Sequence, residues 1–137
     1  MDSMYSIAVH GLVFLNHKAE SVTSEQLAEN ICTNPARVRK VMTKLKRAGL
    51  VETREGHVGG YSFHKKPEDV TLAEVGRAME CVFVDTNWKS GDTDMNCLIC
   101  SGMAGVMDDI YHQLNERCYQ KLEAITIADI DDIIFRK

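Results

Sequence analysis

The residues best suited to chemistry in this chain are six cations that occupy eleven consecutive positions without an acidic residue among them. They are Arg37, Arg39, Lys40, Lys44, Lys46 and Arg47. Asn34 is a good helix N-cap, Pro35 suits the first helical position, and Gly49 suits a left-handed C-terminal cap. All six cations therefore fall on one short helix. A face this basic is typical of a surface that contacts a polyanion, although a single basic residue usually just faces solvent.

A glycine-rich hairpin is predicted directly after this helix. Leu50–Thr53 and Tyr61–His64 have the alternating apolar positions of short strands, with a turn over residues 54–60 between them. A short helix predicted over Ser24–Ile31, the basic helix and this hairpin together make a winged helix-turn-helix. In that motif the second helix enters a major groove, and the hairpin, or wing, reaches a minor groove or phosphates. The predicted DNA contacts are Asn34, Arg37, Arg39, Lys40 and Lys44 on the helix, with Arg54 and His57 on the wing.

Five cysteines form the second set with chemical potential. An odd number in a chain that looks cytoplasmic argues against a disulfide framework and favours metal binding or redox chemistry. Cys32 precedes the basic helix, whose positive end favours the oxidisable thiolate, but burial as a small apolar residue fits its position equally well. Cys97 and Cys100 lie in or beside a polar loop and are expected to be exposed. Cys81 and Cys118 fall among apolar residues and are expected in the core.

The pair Cys97-x-x-Cys100 supplies too few ligands for the usual metal sites that are built from cysteine. It supplies half of a tetrahedral zinc site, and a thiol oxidoreductase would need the motif at the start of a helix within a βαβ unit, which is not visible. The sequence therefore predicts no cofactor, no metal and no enzyme activity. It predicts redox sensing by Cys32, Cys97 and Cys100, with oxidation joining Cys32 of one subunit to Cys97 or Cys100 of another.

The helices that position these residues follow from apolar periodicity and caps. A core helix is predicted over Met4–Lys18, and Thr23 with Gln26 makes a capping box for a helix over Ser24–Ile31. After the wing, Thr71 with Glu74 makes a second capping box that opens another short helix. The polar stretch over residues 85–96 has no period and is predicted to be a loop.

A long amphipathic helix is predicted from Ser101 or Gly102 to about Ala124. Its apolar stripe consists of Met103, Met107, Ile110, Leu114, Cys118 and Leu122. A stripe this long on an appended helix needs a partner, which predicts a homodimer whose two basic helices lie about 34 Å apart and fit a palindromic operator. The last segment, Thr126–Phe135, is predicted to be a short capped helix that folds back.

Charge is divided unevenly along the chain. Residues 1–66 carry a formal charge of +4 and residues 67–137 carry −8, within a total of −4. A basic half joined to an acidic half is expected when one part contacts a polyanion and the other does not. No run approaches the ~20 apolar residues of a membrane span, and the N-terminus lacks a signal peptide, so we expect a cytoplasmic protein without a membrane partner.

Three motifs carry a resemblance to a known family. They are Ala48-Gly49-Leu50-Val51, Arg54-x-Gly56-x-x-Gly59-Gly60-Tyr61 and Val70-Thr71-Leu72-Ala73-Glu74. With these motifs the chain resembles the Rrf2 family of bacterial winged-helix regulators, which contains IscR-type and NsrR-type repressors. The resemblance implies a homodimeric transcriptional regulator bound to a palindromic operator in double-stranded DNA. It also adds the wing positions Gly56, Gly59, Gly60 and Tyr61 to the DNA-binding set.

The sequence departs from the family at the sensing site. Cluster-binding members carry three closely spaced cysteines before the dimer helix, because thiolates are the ligands of an iron–sulfur cluster. Here that region offers only Cys97 and Cys100, so a third ligand would have to come from elsewhere. The candidates are Cys81, Cys118, Asp94 and His112.

The predicted fold is mainly α with a small β-hairpin wing: a winged helix-turn-helix plus a long dimerisation helix. Residues 1–80 are assigned to the DNA-binding domain, residues 81–100 to a loop, and residues 101–137 to the dimerisation helix and the short C-terminal helix. The predicted function is that of a redox-responsive, DNA-binding repressor. Two alternatives stay open: a repressor that senses an iron–sulfur cluster or a small ligand, and an interaction module that keeps the scaffold without binding DNA. The intact basic helix and wing argue against the interaction module.

Overall fold

The computed structural model describes residues 3–54, 56 and 59–136 of the chain. Within these ranges the elements are α1 (Met4–Lys18), α2 (Ser24–Ile31), α3 (Pro35–Arg47), β1 (Glu52–Arg54), β2 (Gly60–Ser62), a 3-10 turn (Pro67–Asp69), α4 (Leu72–Ala78), α5 (Leu98–Glu123) and α6 (Ile127–Ile134). The predicted fold class, mainly α with a small β-hairpin wing, is confirmed. No helix in the described ranges is long and apolar enough to cross a membrane.

The caps of α2 and α3 form as predicted. Thr23 Oγ1 accepts the N–H of Gln26 at 3.1 Å, while the Thr23 N–H donates to Gln26 Oε1 at 2.9 Å. Asn34 Oδ1 accepts the N–H of Arg37 at 2.9 Å, with Pro35 in the first turn. Between the two helices the chain turns through Cys32, whose backbone is left-handed with φ of 63°. These local contacts fix a tight helix-turn-helix.

The wing is a short hairpin that is tied to the body of the protein. β1 and β2 are antiparallel, with Thr53 opposite Tyr61. Tyr61 also exchanges two backbone hydrogen bonds with Val22, at 2.8 and 2.9 Å. The first strand is shorter than predicted. It begins at Glu52, and Leu50 and Val51 before it are buried in the core.

The core lies between α1, α2, α3 and α4, and α6 closes it. Leu12, Leu27 and Leu45 are completely buried. The Tyr5 hydroxyl donates to the carbonyl of Leu72 at 2.7 Å, and burial raises the pKa of Tyr5 to about 12. Ile127, at the start of α6, is also completely buried, which confirms that this helix folds back onto the N-terminal part of the chain.

Helix α5 begins earlier than predicted. Its first residue is Leu98 and its N-cap is Cys97, so Cys100 lies inside the helix and not in the loop. The prediction relied on a small or polar residue to start the helix, whereas the helix extends back through three residues that lack such a signal. The Thr71 cap is also simpler than predicted: Thr71 Oγ1 accepts the N–H of Glu74 at 3.0 Å, without a return bond among the described contacts.

The C-terminal half of α5 is anchored and its N-terminal half projects. The Tyr119 hydroxyl donates to the carbonyl of Cys81 at 2.7 Å, and the Asn115 side chain bonds the backbone of Phe83 and Val84 at 2.6 to 2.8 Å. A side chain at Gly76 would meet the Tyr119 ring at 3.0 Å, so α4 and α5 approach closely here. No residue of α5, which is described along its whole length, is fully buried.

Candidate nucleic-acid interface

Helix α3 presents a basic face because its apolar side chains are used by the core. Val38, Val41, Met42 and Leu45 are each 0% exposed. They fall on one side of a 3.6-residue helix, so the residues between them point outward. The exposed set on α3 is Ala36, Arg39, Lys40, Thr43, Lys46 and Arg47. Four of these six are cations, which gives a continuous positive surface along the helix.

The five predicted contacts on α3 do not all lie in this face. Arg39 and Lys40 are fully part of it, whereas Arg37 and Lys44 are half-buried at its edges. The Arg37 guanidinium bonds the hydroxyl of Ser3, and Asn34 uses its side-chain oxygen to cap the helix. Asn34 and Arg37 therefore hold the start of α3 in place.

Arg39 is only loosely restrained. Its guanidinium lies 3.3 Å from Ser24 Oγ and 3.8 Å from the Glu25 carboxylate, and both charged side chains are more than half exposed. An exposed ion pair of this kind contributes only about 0 to 1 kcal/mol. Arg39 can therefore exchange Glu25 for a phosphate or a base at little cost.

Thr43 and Lys46 lie in the exposed face of α3 but are not among the contacts predicted from the sequence. Thr43 lies in the middle of the exposed face, and its hydroxyl donates to the Arg39 carbonyl at 2.8 Å. Lys46 Nζ donates to Thr53 Oγ1 at 2.7 Å and so connects α3 to the wing. Thr43 is three residues after Lys40, so helical spacing puts both on the same face, but Thr43 has no charge to mark it as a DNA contact.

The wing glycines are explained by close backbone contacts. A Cβ on Gly60 would lie 2.5 Å from the carbonyl oxygen of Val22, and one on Gly59 would collide with the carbonyl of Arg54. Tyr61 is half-buried and pairs with two segments of backbone. Gly56 is exposed with φ of 110°, while the predicted contact His57 lies outside the described residues. Among the described wing residues, Arg54 is the exposed cation that points away from the core.

The cysteines fall into two distant groups and one separate position. Cys97 and Cys100 share the first turn of α5, whereas Cys81 and Cys118 lie near its far end, beside Tyr119. Cys32 is exposed at the end of α2, and its thiol turns back toward the carbonyl of Glu29 at 3.7 Å. Its thiol thus faces the carbonyl end of α2 and not the amide end of α3.

These positions do not fit an iron–sulfur cluster within one chain. Cys100 and Cys118 are 18 residues apart on one helix, which corresponds to about 27 Å. His112 is 12 residues from Cys100 on the same helix, about 18 Å, and it pairs with Glu116 at 3.1 Å. No three His, Cys, Asp or Glu side chains in the described part of the chain are close enough to share a metal ion. The third ligand that such a cluster needs is therefore missing.

An apolar groove lies between α1 and α6. Its volume is about 740 Å³. Its apolar lining includes Val9, Val13, Phe14, Leu122, Ile130 and Phe135. Asn30 and His10 form a polar pair at one side, with His10 Nε2 and Asn30 Oδ1 2.7 Å apart.

Comparison with known proteins places this geometry in context. A family model described as Rrf2, iron-dependent transcriptional regulator, matches residues 1–132. YwnA of Bacillus subtilis, described as an HTH-type transcriptional regulator, is 27% identical over 139 residues, covering 98% of this chain and 99% of its own. The HTH-type transcriptional regulator NsrR of Bacillus subtilis is 29% identical, covering 97% of this chain and 87% of its own. The crystal structure of a Lactobacillus plantarum protein described as a transcriptional regulator aligns with a TM-score of 0.87 at 20% identity, over 99% of this chain and 93% of the other.

Proposed function

The chain belongs to the Rrf2 family of transcriptional regulators, and we propose that it is a homodimeric repressor that binds a palindromic operator in double-stranded DNA. The family and the relatives are regulators and not enzymes. The observation that carries the proposal is the exposed cationic face of α3, which continues through Lys46 to the wing. A transcriptional regulator of a bacterial family acts where the DNA is, so the proposed site of action is the cytoplasm.

Helix α3 enters the major groove in this proposal. Arg39 and Lys40 lie in the N-terminal half of the exposed face, where recognition helices usually contact base edges. Arg47 and Arg54 are both exposed, and in this proposal they bind phosphates on either side. Thr43 contacts either a base or a phosphate between them.

The dimer forms through the exposed stripe of α5. Met103, Ile110 and Leu114 are 37%, 42% and 44% exposed, respectively. A contiguous apolar stripe on a projecting helix is rare on a monomer, and a second copy of the same helix supplies a matching surface with two-fold symmetry. Two copies of α3 are then presented to the two halves of a palindrome. A dimer bound in this way represses by blocking access to the promoter.

DNA binding is tested by selecting operator fragments from random duplex DNA and measuring their affinity by gel shift. We expect the double variant Arg39→Ala, Lys40→Ala to lose at least about tenfold in affinity, since each good base contact is worth about 1 to 3 kcal/mol. Lys89→Ala is the matched control. Lys89 is an exposed lysine in the loop before α5, and it pairs with Asp108 of α5 and not with a residue of α3. If no duplex is selected, the chain is an interaction module. If both variants bind equally well, the assignment of α3 is wrong.

Repression is tested separately with a reporter gene under the selected operator. Expression should fall when the regulator is present and should stay high with the Arg39→Ala, Lys40→Ala variant. If the regulator raises expression from the same operator, it is an activator.

Cysteine oxidation is the proposed signal. Cys32 and Cys97 are exposed, and Cys100 is half-buried beside Cys97. Oxidation joins Cys32 of one subunit to Cys97 or Cys100 of the other: the two thiols lose two electrons and two protons to hydrogen peroxide, which is reduced to two water molecules. The bridge requires Cα atoms within about 7 Å, so it holds the two DNA-binding units at a fixed distance that does not fit the operator.

Non-reducing electrophoresis after mild peroxide treatment tests this signal. A crosslinked dimer should appear, disappear in Cys32→Ser, and persist in the control Cys118→Ser. Operator release should follow the crosslink and be reversed by a reductant. If oxidant releases Cys32→Ser from DNA as readily as the parent, this mechanism is wrong.

The apolar groove favours a second candidate signal, a small apolar ligand. Its volume suits a small molecule, and the polar pair of His10 and Asn30 at one side can orient a polar group. Such a ligand would bind Val13→Trp protein more weakly, because the larger side chain would fill the groove. If apolar compounds change neither the thermal stability nor operator binding of the parent, this candidate is excluded.

A further inference from the structure

Three sulfur-containing residues lie within six positions of one another where α5 begins. Met95, Cys97 and Cys100 form the sequence Met-x-Cys-x-x-Cys, and Cys97 is the N-cap of the helix. The Cys100 Sγ lies 3.2 Å from the Met95 Sδ. Two sulfurs bound at about 2.3 Å to an ion with two or three ligands are about 4.0 to 4.6 Å apart, so this pair has to separate by only about 1 Å to hold one ion.

The loop before α5 is folded so that Met95 returns to Cys100. Gly91 has φ of 77°, and any side chain there would collide with the carbonyl oxygen of Cys100. The Asp92 N–H donates to that same carbonyl at 3.0 Å, and the Met95 N–H donates to the Asp92 carbonyl at 3.2 Å. The loop is thus held against the first turn of α5 by backbone contacts that need glycine at position 91.

Cys97 supplies the second thiol of the motif. It is exposed as the N-cap of α5, three residues before Cys100. Residues three apart at a helix are neighbours, so both thiols are within reach of one ion.

The number and softness of these ligands select the ion. Zinc sites and iron–sulfur clusters usually need four strong ligands, and magnesium or calcium need oxygen ligands. Of the metals that bind thiolate and thioether sulfur, Cu(I) is the one that remains. Two or three ligands complete the coordination of Cu(I). We propose that Met95, Cys97 and Cys100 form a binding site for one Cu(I) ion in each chain.

Binding is a simple exchange. Two thiols release their protons and the ion gains two thiolate bonds and one thioether bond, without electron transfer. The bound ion occupies Cys97 and Cys100, so it should also protect both residues from oxidation. The site does not depend on DNA binding, and its test is independent of the repressor proposal.

The test is an anaerobic titration of the reduced full-length chain with Cu(I) in competition with the coloured chelator bathocuproine disulfonate. The parent should retain one equivalent of copper. Cys97→Ser and Cys100→Ser should each weaken binding by more than about 100-fold, and Met95→Leu by about tenfold, since even a supporting group costs a metal site about 10- to 100-fold. Cys32→Ser and Cys118→Ser are matched controls and should bind as the parent does. X-ray absorption of the copper should show two or three sulfur neighbours.

Several outcomes would overturn the site. The chelator could remove all copper from the parent, or Cys32→Ser could lose copper as completely as Cys97→Ser. Zinc could be retained more tightly than copper, which would indicate a different ligand set. Unchanged affinity in Met95→Leu would remove the thioether from the site. Circular dichroism of each variant verifies that lost binding is not lost folding.

Discussion

Helices α3 and α5 are both amphipathic, but only α3 completes its apolar face within the chain. Its four inward apolar side chains are 0% exposed, whereas Met103, Ile110 and Leu114 on α5 are 37% to 44% exposed. Burying one large apolar side chain contributes about 1.5 to 3 kcal/mol. The apolar face of α3 therefore stabilises the monomer and leaves its cations exposed, while Met103, Ile110 and Leu114 on α5 stay available to a partner surface. Similar patterns in the sequence thus have different physical roles.

The largest expected effect is the loss of stability when a core side chain of α3 is shortened. Leu45→Ala should destabilise the fold by about 2 to 5 kcal/mol, because it removes a fully buried side chain and leaves a cavity. Leu114→Ala on α5 is the matched control and should change unfolding of the monomer by less than about 1 kcal/mol, as for other exposed positions. Urea unfolding at a concentration low enough to keep the chain monomeric measures both. Equal losses would mean that α5 also belongs to the monomer core.

The second effect tests the other helix. Ile110→Asp should weaken the dimer by at least about 30-fold, which corresponds to the 2 kcal/mol typical of a central interface residue, while the fold of the monomer is kept. Asp109→Ala removes a charge from the neighbouring position and serves as the control. Sedimentation equilibrium measures the dissociation constant. A parent chain that stays monomeric at high concentration would remove the basis for a palindromic operator.

A smaller effect is expected at the start of α3. Asn34→Ala removes the cap that accepts the Arg37 N–H and should cost about 1 kcal/mol. Asn34→Asp keeps the capping oxygen and should restore most of the stability. Thermal unfolding compares the two variants. If Asn34→Ala weakens DNA binding without any loss of stability, Asn34 is a DNA contact and not only a cap.

Much of the N-terminal half could be predicted because its signals are local. The Thr23 and Gln26 box and the Asn34 cap are encoded within four residues, and both helices start where the sequence indicates. The bond between Val22 and Tyr61 could not be predicted, since it joins residues 39 positions apart with no pattern of its own. The start of α5 at Leu98 has no local signal either: no side chain caps it, and the loop before it contacts the helix through the Asp92 N–H and the Cys100 carbonyl.

The candidate site could be predicted in part. Charge and glycine spacing indicate the basic helix and the wing, but they do not indicate which side chains form the exposed face. Arg37 looked like a contact in the sequence, yet in the structure its guanidinium bonds Ser3 of the N-terminal segment. Thr43 was missed because it is uncharged, although helical geometry places it at the centre of the face. The sulfur cluster at Met95 depends on loop folding that local patterns do not reveal.

The salt dependence of operator binding tests the central claim most directly, because the claim is that α3 and the wing neutralise DNA phosphates. The logarithm of the association constant should fall linearly with the logarithm of salt concentration for the parent dimer. Arg54→Ala should flatten this slope by about one unit for each phosphate that is no longer neutralised, or about two units for a dimer, while Lys89→Ala leaves the slope unchanged. A parent slope near zero, or a slope that Arg54→Ala and Arg47→Ala both leave unchanged, would contradict the account.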